Sequence, residues 1–304
     1  MSAGHDHGAA LAGSAAGRHR GRLVWALALT LTYMSAEVIG GLWTGSLALL
    51  ADAAHMLTDA GGLALALFAI RFAERPATPQ KTYGYLRAEI LSALANAVVL
   101  LLLTIYILYE AYRRFVDPPE VIGGPMLAVA AVGLVVNLIS MRLLAGGSSE
   151  SLNVKGAYFE VLSDMLGSLG VIVAALIVIF TGWRLADPII GAGIGLFIVP
   201  RTWQLLKQAT HILLEGTPPE VDLRLLERRL KEIPGVVAVH DLHVWTITSG
   251  LDAMSGHLVV GSMTEAAQTL RQARDAMASE FKIDHVTIQI EDEAFRSEER
   301  TLHV

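Results

Sequence analysis

Three ionisable residues, Asp52, His55 and Asp59, stand inside an otherwise apolar segment that runs from Leu47 to Phe72. Separations of three and four residues put all three side chains on one face of an α-helix. A later apolar segment repeats the arrangement, with Glu160 and Asp164 four residues apart in Phe159-Glu160-Val161-Leu162-Ser163-Asp164. Both segments are long enough to cross a bilayer, which takes about 20 mostly apolar residues. Each ionisable side chain near the centre of such a helix costs about 2.5–3.5 kcal/mol on insertion scales, so five together oppose insertion by on the order of 10 kcal/mol. An interhelical hydrogen-bond network accounts for a single such residue. Two pairs, one on each of two helices, instead offer imidazole and carboxylate ligands to one divalent cation. The residues therefore predict an intramembrane metal site made by His55, Asp59, Glu160 and Asp164, with Asp52 behind the ligands or on the route by which an ion enters.

Composition narrows the chemistry. The chain of 304 residues is 53% hydrophobic and 17% charged, which is richer in apolar residues than a soluble domain. It has no cysteine, so a metal must be held by imidazole, carboxylate, amide, backbone or water, a ligand set that suits zinc, cadmium, cobalt or nickel. The net charge of -6 carries no basic stripe, so nucleic acid is not an expected partner.

Six apolar runs supply the helices that would position these residues: Leu23–Leu42, Leu47–Phe72, Ile90–Tyr112, Val121–Leu144, Ala157–Thr181 and Pro188 to about Leu206. Ahead of them, residues 1–21 are small and polar, the composition of a flexible tail, and include His5-Asp6-His7. Leu23–Leu42 is longer than the apolar core of a signal peptide, so it reads as a first transmembrane helix. Arg18, Arg20, Arg22, Arg71, Arg75, Lys81, Arg87, Arg142 and Lys155 fall on one side of this topology, against Arg113, Arg114 and Arg184 on the other. The positive-inside rule then places both termini in the cytoplasm. Asn96 and Asn137, inside the third and fourth runs, read as interhelical hydrogen-bonding residues.

After Leu214 the composition becomes that of a soluble domain. Leu223, Leu226 and Leu230 have helical spacing, and Pro234-Gly235 stops that helix. Val236–Thr248 and Ala253–Val260 read as strands around the turn Ser249-Gly250-Leu251-Asp252, Thr264–Phe281 as a helix, and His285–Glu291 as a strand burying Val286, Ile288 and Ile290. The order α-β-β-α-β predicts a small ferredoxin-like α+β domain. The domain plan is thus a tail over 1–21, a six-helix transmembrane domain over 22–214, the cytoplasmic domain over 215–292 and a C-terminal tail over 293–304.

Four stretches together resemble the cation diffusion facilitators, a family of divalent-metal transporters. They are Ser46-Leu47-Ala48-Leu49-Leu50-Ala51-Asp52-Ala53-Ala54-His55-Met56-Leu57-Thr58-Asp59, Thr82-Tyr83-Gly84-Tyr85-Leu86-Arg87-Ala88-Glu89, Ser163-Asp164-Met165-Leu166-Gly167-Ser168 and Val239-His240-Asp241-Leu242-His243-Val244-Trp245. The resemblance implies a homodimer in the membrane, expected to be a bacterial inner membrane, that exports zinc-like ions from the cytoplasm in exchange for protons. It implies transport ligands from the second and fifth helices, which are His55, Asp59, Glu160 and Asp164 here. Glu160 stands where most zinc transporters of the family have histidine, a variant similar to the cobalt-zinc-cadmium resistance branch, so Cd2+ and Co2+ are expected beside Zn2+. The resemblance also implies a regulatory site in the cytoplasmic domain at His240, His257 and Glu291. His285 lies six residues before Glu291, about 20 Å along an extended strand, too far to share its ion.

Two other classes of function fit the sequence less well. A membrane metalloenzyme would need an open coordination position with a general base beside it, and the His-Glu-x-x-His motif is absent. A membrane-anchored metal sensor would use the cytoplasmic histidines and leave five intramembrane ionisable residues unexplained.

Overall fold

The structure, a computed structural model, describes residues 20–57, 60–61, 75–145 and 152–298. Among them, five helices are long and apolar enough to span a membrane. These are α1 (Arg20–Thr44), α3 (Ala88–Val116), α4 (Gly123–Ala145), α5 (Leu152–Thr181) and α6 (Ala186–Leu213). A shorter apolar helix, α2 (Leu47–Leu57), follows α1 after a tight turn at Gly45, whose φ of 71° favours glycine. The rest of the predicted second span lies mostly outside the described residues.

The chain forms two compact units, one built from residues up to 64 and 95–204, the other from 65–94 and 205–304. In the first, α4 packs along α5 and against α1. Its core joins Ala48 and Leu49 of α2 to Met126 and Ala130 of α4 and Val171, Ala174 and Ala175 of α5. Small residues at these contacts let helix backbones approach, which is how membrane helices gain packing energy without a hydrophobic drive. Two glycines sit where a Cβ would collide with a side chain from another helix. A Cβ on Gly133 would fall 1.9 Å from the Tyr33 ring, and one on Gly167 would fall 2.1 Å from Asp52 Oδ1.

The second unit contains a mixed α/β domain with the order α7 (Leu223–Lys231), β1 (Val236–Thr248), β2 (Leu251–Val260), α8 (Ala266–Phe281) and β3 (His285–Glu291), then a short α9 (Glu293–Glu298). Asp222 caps α7 by accepting from the backbone N–H groups of Arg224 and Leu225. The sheet order is β1-β2-β3, with β1 and β2 antiparallel and β2 and β3 parallel, so α8 is the crossover that parallel pairing requires. The hairpin is tighter than the sequence predicts. β2 starts at Leu251 and only Ser249-Gly250 turn, because Gly250 takes a φ of 75° and Thr246 Oγ1 bonds Asp252 Oδ1 across the pair at 2.6 Å. Part of the predicted C-terminal tail is also ordered as α9, where Asp292 Oδ1 accepts from Phe295 N at 2.8 Å. Residues 75–94 belong to this unit: Arg87 pairs with Glu215 at 2.8 Å, Thr248 bonds Glu89, and Tyr83 Oη lies 3.5 Å from His285 Nε2.

The core of this domain joins Leu226 and Leu230 of α7, Val244, Met254 and Leu258 of the hairpin, and Ala273 and Met277 of α8. Leu230 is fully buried. Leu230→Ala is expected to cost about 2–5 kcal/mol of stability, the range for a truncated core leucine. Urea unfolding of the isolated domain, residues 215–298, measures it, and a loss below about 1 kcal/mol would remove Leu230 from the core.

Candidate metal centre

One metal-ligating trio is assembled among the described residues: His240, His257 and Glu291, whose ligand atoms lie within 4.8 Å of one another. Local strand geometry builds it. His240 on β1 stands opposite His257 on β2, and their rings meet edge-on with centroids 5.0 Å apart. His257 stands opposite Gln289 on β3, so Glu291, two residues further along the same face, reaches the pair diagonally. His240 Nε2 lies 3.1 Å from Glu291 Oε2 and His257 Nδ1 lies 2.7 Å from Glu291 Oε1. Gln289 Nε2 donates to Glu291 Oε1 at 2.8 Å, so it holds the carboxylate instead of supplying a third nitrogen. The β1 ladder bulges between His240 and His243, and Asp241, at a φ of 50°, turns an oxygen to 3.8 Å from His257 Nε2 and another to 3.0 Å from His243 Nε2.

This trio fits zinc. Two imidazole nitrogens and a carboxylate oxygen are familiar zinc ligands at about 2.0–2.2 Å. Ligand atoms around a tetrahedral ion stand roughly 3.4 Å apart at such bond lengths, and the nitrogen-to-carboxylate distances of 3.1 and 2.7 Å lie on the near side of that spacing. Glu291 is 1% exposed, while the two histidines are half-buried and reachable. His285, by contrast, meets the Tyr83 ring edge-on at 5.6 Å.

In the helical unit, His55 of α2 faces Asp164 of α5, with Nε2 3.8 Å from Oδ1, and the side chains are 9% and 5% exposed. That separation exceeds a hydrogen bond, and one ion bound by both atoms would bridge it. Asp59 lies outside the described residues. Glu160 does not join His55 and Asp164 within 4.8 Å; its Oε1 lies 3.3 Å from Arg201 Nη2 on α6. Asp52 is fully buried. Asn137 Nδ2 donates to Ser168 Oγ at 3.4 Å, the interhelical bond read from the sequence.

Two family models account for almost all of this architecture: the cation efflux transmembrane domain matches residues 23–214 and the cytoplasmic domain of cation efflux proteins matches residues 218–293. The chain belongs to the cation diffusion facilitator family. Within it the chain is 50% identical over 292 residues to the metal cation efflux system protein CzcD of Cupriavidus metallidurans, covering 96% of this chain and 90% of that one. It is 44% identical over 272 residues to the zinc transporter ZitB of Escherichia coli, covering 89% and 87%. It is 42% identical over 296 residues to the cadmium, cobalt and zinc/H(+)-K(+) antiporter of Bacillus subtilis, covering 96% and 93%. Among solved structures, the metal-bound C-terminal domain of the CzcD transporter aligns with 23% of this chain and 99% of its own, at 38% identity and a TM-score of 0.23. As a facilitator of this family, in its CzcD and ZitB branch, the protein is an integral membrane transporter of divalent cations and not an enzyme.

Two carboxylates escape the sequence reading. Asp187, which falls between the fifth and sixth apolar runs, is fully buried at the start of α6 and accepts from Ser46 Oγ at 2.6 Å, Leu47 N at 2.7 Å and Ala48 N at 3.2 Å. It therefore caps α2, the helix that carries His55, from a different element, and Arg114 Nη1 stands 3.5 Å from its Oδ2. Glu37 is fully buried within α1. The signal for Glu37 was present as a lone carboxylate in an apolar run, the same signal that marks Asp52.

Proposed function

We propose that this protein is a proton-coupled antiporter that exports zinc, with cadmium and cobalt as further substrates, from the cytoplasm. His55, Asp59, Glu160 and Asp164 hold the ion inside the membrane. The reading is carried by the approach of His55 to Asp164: two buried ligands from different helices, too far apart to bond each other and close enough to share an ion. In this reading the segment Leu47–Phe72 completes a sixth span, both termini are cytoplasmic in a bacterial inner membrane, and the functional unit is a homodimer. Residues 22–214 form the transmembrane domain and 215–292 a ferredoxin-like cytoplasmic domain. Alternating access around a site near the midplane carries the ion across. Metal ligands must be deprotonated, so protons arriving from outside displace the metal and reset the site.

The test is transport by the purified protein in proteoliposomes under an imposed pH gradient. Zinc, cadmium and cobalt should accumulate on the side that supplies protons, and accumulation should collapse with a protonophore. Metal flux indifferent to the gradient would refute the antiport, and no flux at all would leave the sensor reading in its place.

Glu160→His tests the ligand set. Replacing an anionic oxygen by neutral imidazole leaves the site one charge less negative and one nitrogen richer. Selectivity should narrow toward zinc, read as the ratio of initial rates for zinc, cadmium, cobalt and manganese at two pH values. Manganese, preferring oxygen ligands, should lose most. An unchanged ratio at both pH values would show that Glu160 stays with Arg201 and never touches the ion.

The cytoplasmic trio, in this reading, is regulatory. Metal bound by His240, His257 and Glu291 stabilises whichever arrangement of the cytoplasmic domains binds it better, and so biases the helices they join.

A further inference from the structure

We propose that Arg201 is a tethered cation that competes with the transported ion for Glu160, so that the site closes on metal only as Arg201 releases the carboxylate. Resting on the reading that Glu160 is a transport ligand, this makes Arg201 the residue that sets how tightly the site holds its ion. Arg201 Nη2 on α6 donates to Glu160 Oε1 on α5 at 3.3 Å. One turn further along α5, Asp164 turns its Oδ1 to within 3.8 Å of His55 Nε2. Paired with Arg201, Glu160 stands outside the His55–Asp164 set. To join an ion there its carboxylate must leave the guanidinium, since both cations attract the same oxygens. A site that is competent only while the pair is open binds more weakly by the fraction of time it is open.

Glu160 comes eight residues after Leu152, the start of α5, or about 12 Å along the helix axis. Arg201 comes twelve residues before Leu213, the end of α6, or about 18 Å. Both lie inside candidate membrane spans, yet their side chains are 45% and 63% exposed. Charged groups at such depth face water or the bundle interior and mark the paths of ions. Asp164 is only 5% exposed, so the acids of α5 run from an open position at Glu160 to a closed one at Asp164. A fixed cation at the open end repels an entering divalent ion unless Glu160 neutralises it. The helix at Arg201 is also built to yield. Pro200 lacks the N–H that would bond the Leu196 carbonyl, and Thr202 Oγ1 donates to the Ile198 carbonyl at 3.1 Å, two features that bend helices.

The experiment measures zinc binding to the full-length protein in detergent by calorimetry, in a Glu291→Ala background that weakens the cytoplasmic trio, and zinc flux in proteoliposomes. Arg201→Gln should tighten zinc binding by about fivefold or more, the lower end of coupling between sites. It should lower the half-saturating zinc concentration and the maximal flux together, because the ion leaves more slowly. Arg201→Lys, which keeps a cation on α6, should gain less. In a Glu160→Gln background, Arg201→Gln should change binding by less than about twofold, since the contested carboxylate is gone. Binding that is unchanged or weaker in Arg201→Gln, while Glu160→Gln still weakens it, overturns the competition and leaves Glu160 a ligand. An equal gain in Arg201→Lys, or a gain that persists beside Glu160→Gln, overturns it as well, because Arg201 would then act by bulk or on other groups. Should Glu160→Gln bind zinc as the wild type does, the ligand reading of Glu160 falls and the competition with it. Should wild-type vesicles show no pH-driven flux, the antiport falls while the binding arm still decides the competition.

Discussion

Asp164→Ala is expected to reduce zinc flux by ~100-fold or more, because even residues that merely support a metal ligand cost about 10–100-fold when lost. Its oxygen is the one that faces His55 Nε2, and alanine removes it from the site. The variant should fold and insert as the wild type does. Removing a carboxylate from the middle of an apolar helix relieves an insertion cost of about 2.5–3.5 kcal/mol instead of adding one, and Asp164 sits about two turns before Val171, the first α5 residue of the α4–α5 packing core. Flux by purified protein in proteoliposomes, with circular dichroism and gel filtration as the control for folding, measures the effect. Wild-type flux in the variant would sink the assignment of the intramembrane site. His55→Ala serves as the companion, with a loss of similar size expected because it removes the nitrogen ligand.

The second large effect belongs to the cytoplasmic trio. Glu291 is its hub, since both imidazoles and the Gln289 amide converge on its two oxygens. Glu291→Ala should weaken zinc binding to the isolated domain, residues 215–298, by about 100-fold, the upper end of what support residues alone would cost. Calorimetry reads the affinity, and it should also fall as pH is lowered, because metal and proton compete for the same imidazole nitrogens. The fold should lose little, since the vacated space lies on the sheet face that carries the histidines, away from the Leu226–Met254–Met277 core. Full zinc affinity in Glu291→Ala would defeat the site. Gln289→Ala gives the graded comparison: it removes a hydrogen bond to the carboxylate but no ligand.

Much of this was legible because it is local. The spacing of Asp52, His55 and Asp59 follows from the helical period alone, and the strand His285–Glu291 follows from its alternation of Val286, Ile288 and Ile290. His240 and His257 sit on adjoining strands of one hairpin, whose register a short turn fixes, so their meeting depends on few residues. Glu291 entered the sequence reading through family resemblance and not through spacing.

Which residues share a helix face or a strand face follows from the order of residues, because backbone periodicity is set within a few residues. Tertiary structure alone decided which faces meet. The parallel register of β3 on β2, made after a sixteen-residue helix, brings Glu291 to the histidines. The packing of α5 against its neighbours presents Asp164 to His55 while Glu160, one turn away on the same helix, turns to Arg201. The cap that Asp187 places on α2 spans 140 residues of sequence to Leu47 N. Such contacts depend on how far one element slides and rotates on another, and that is settled by glycines and side-chain volumes at the interfaces, as Gly133 and Gly167 settle it here.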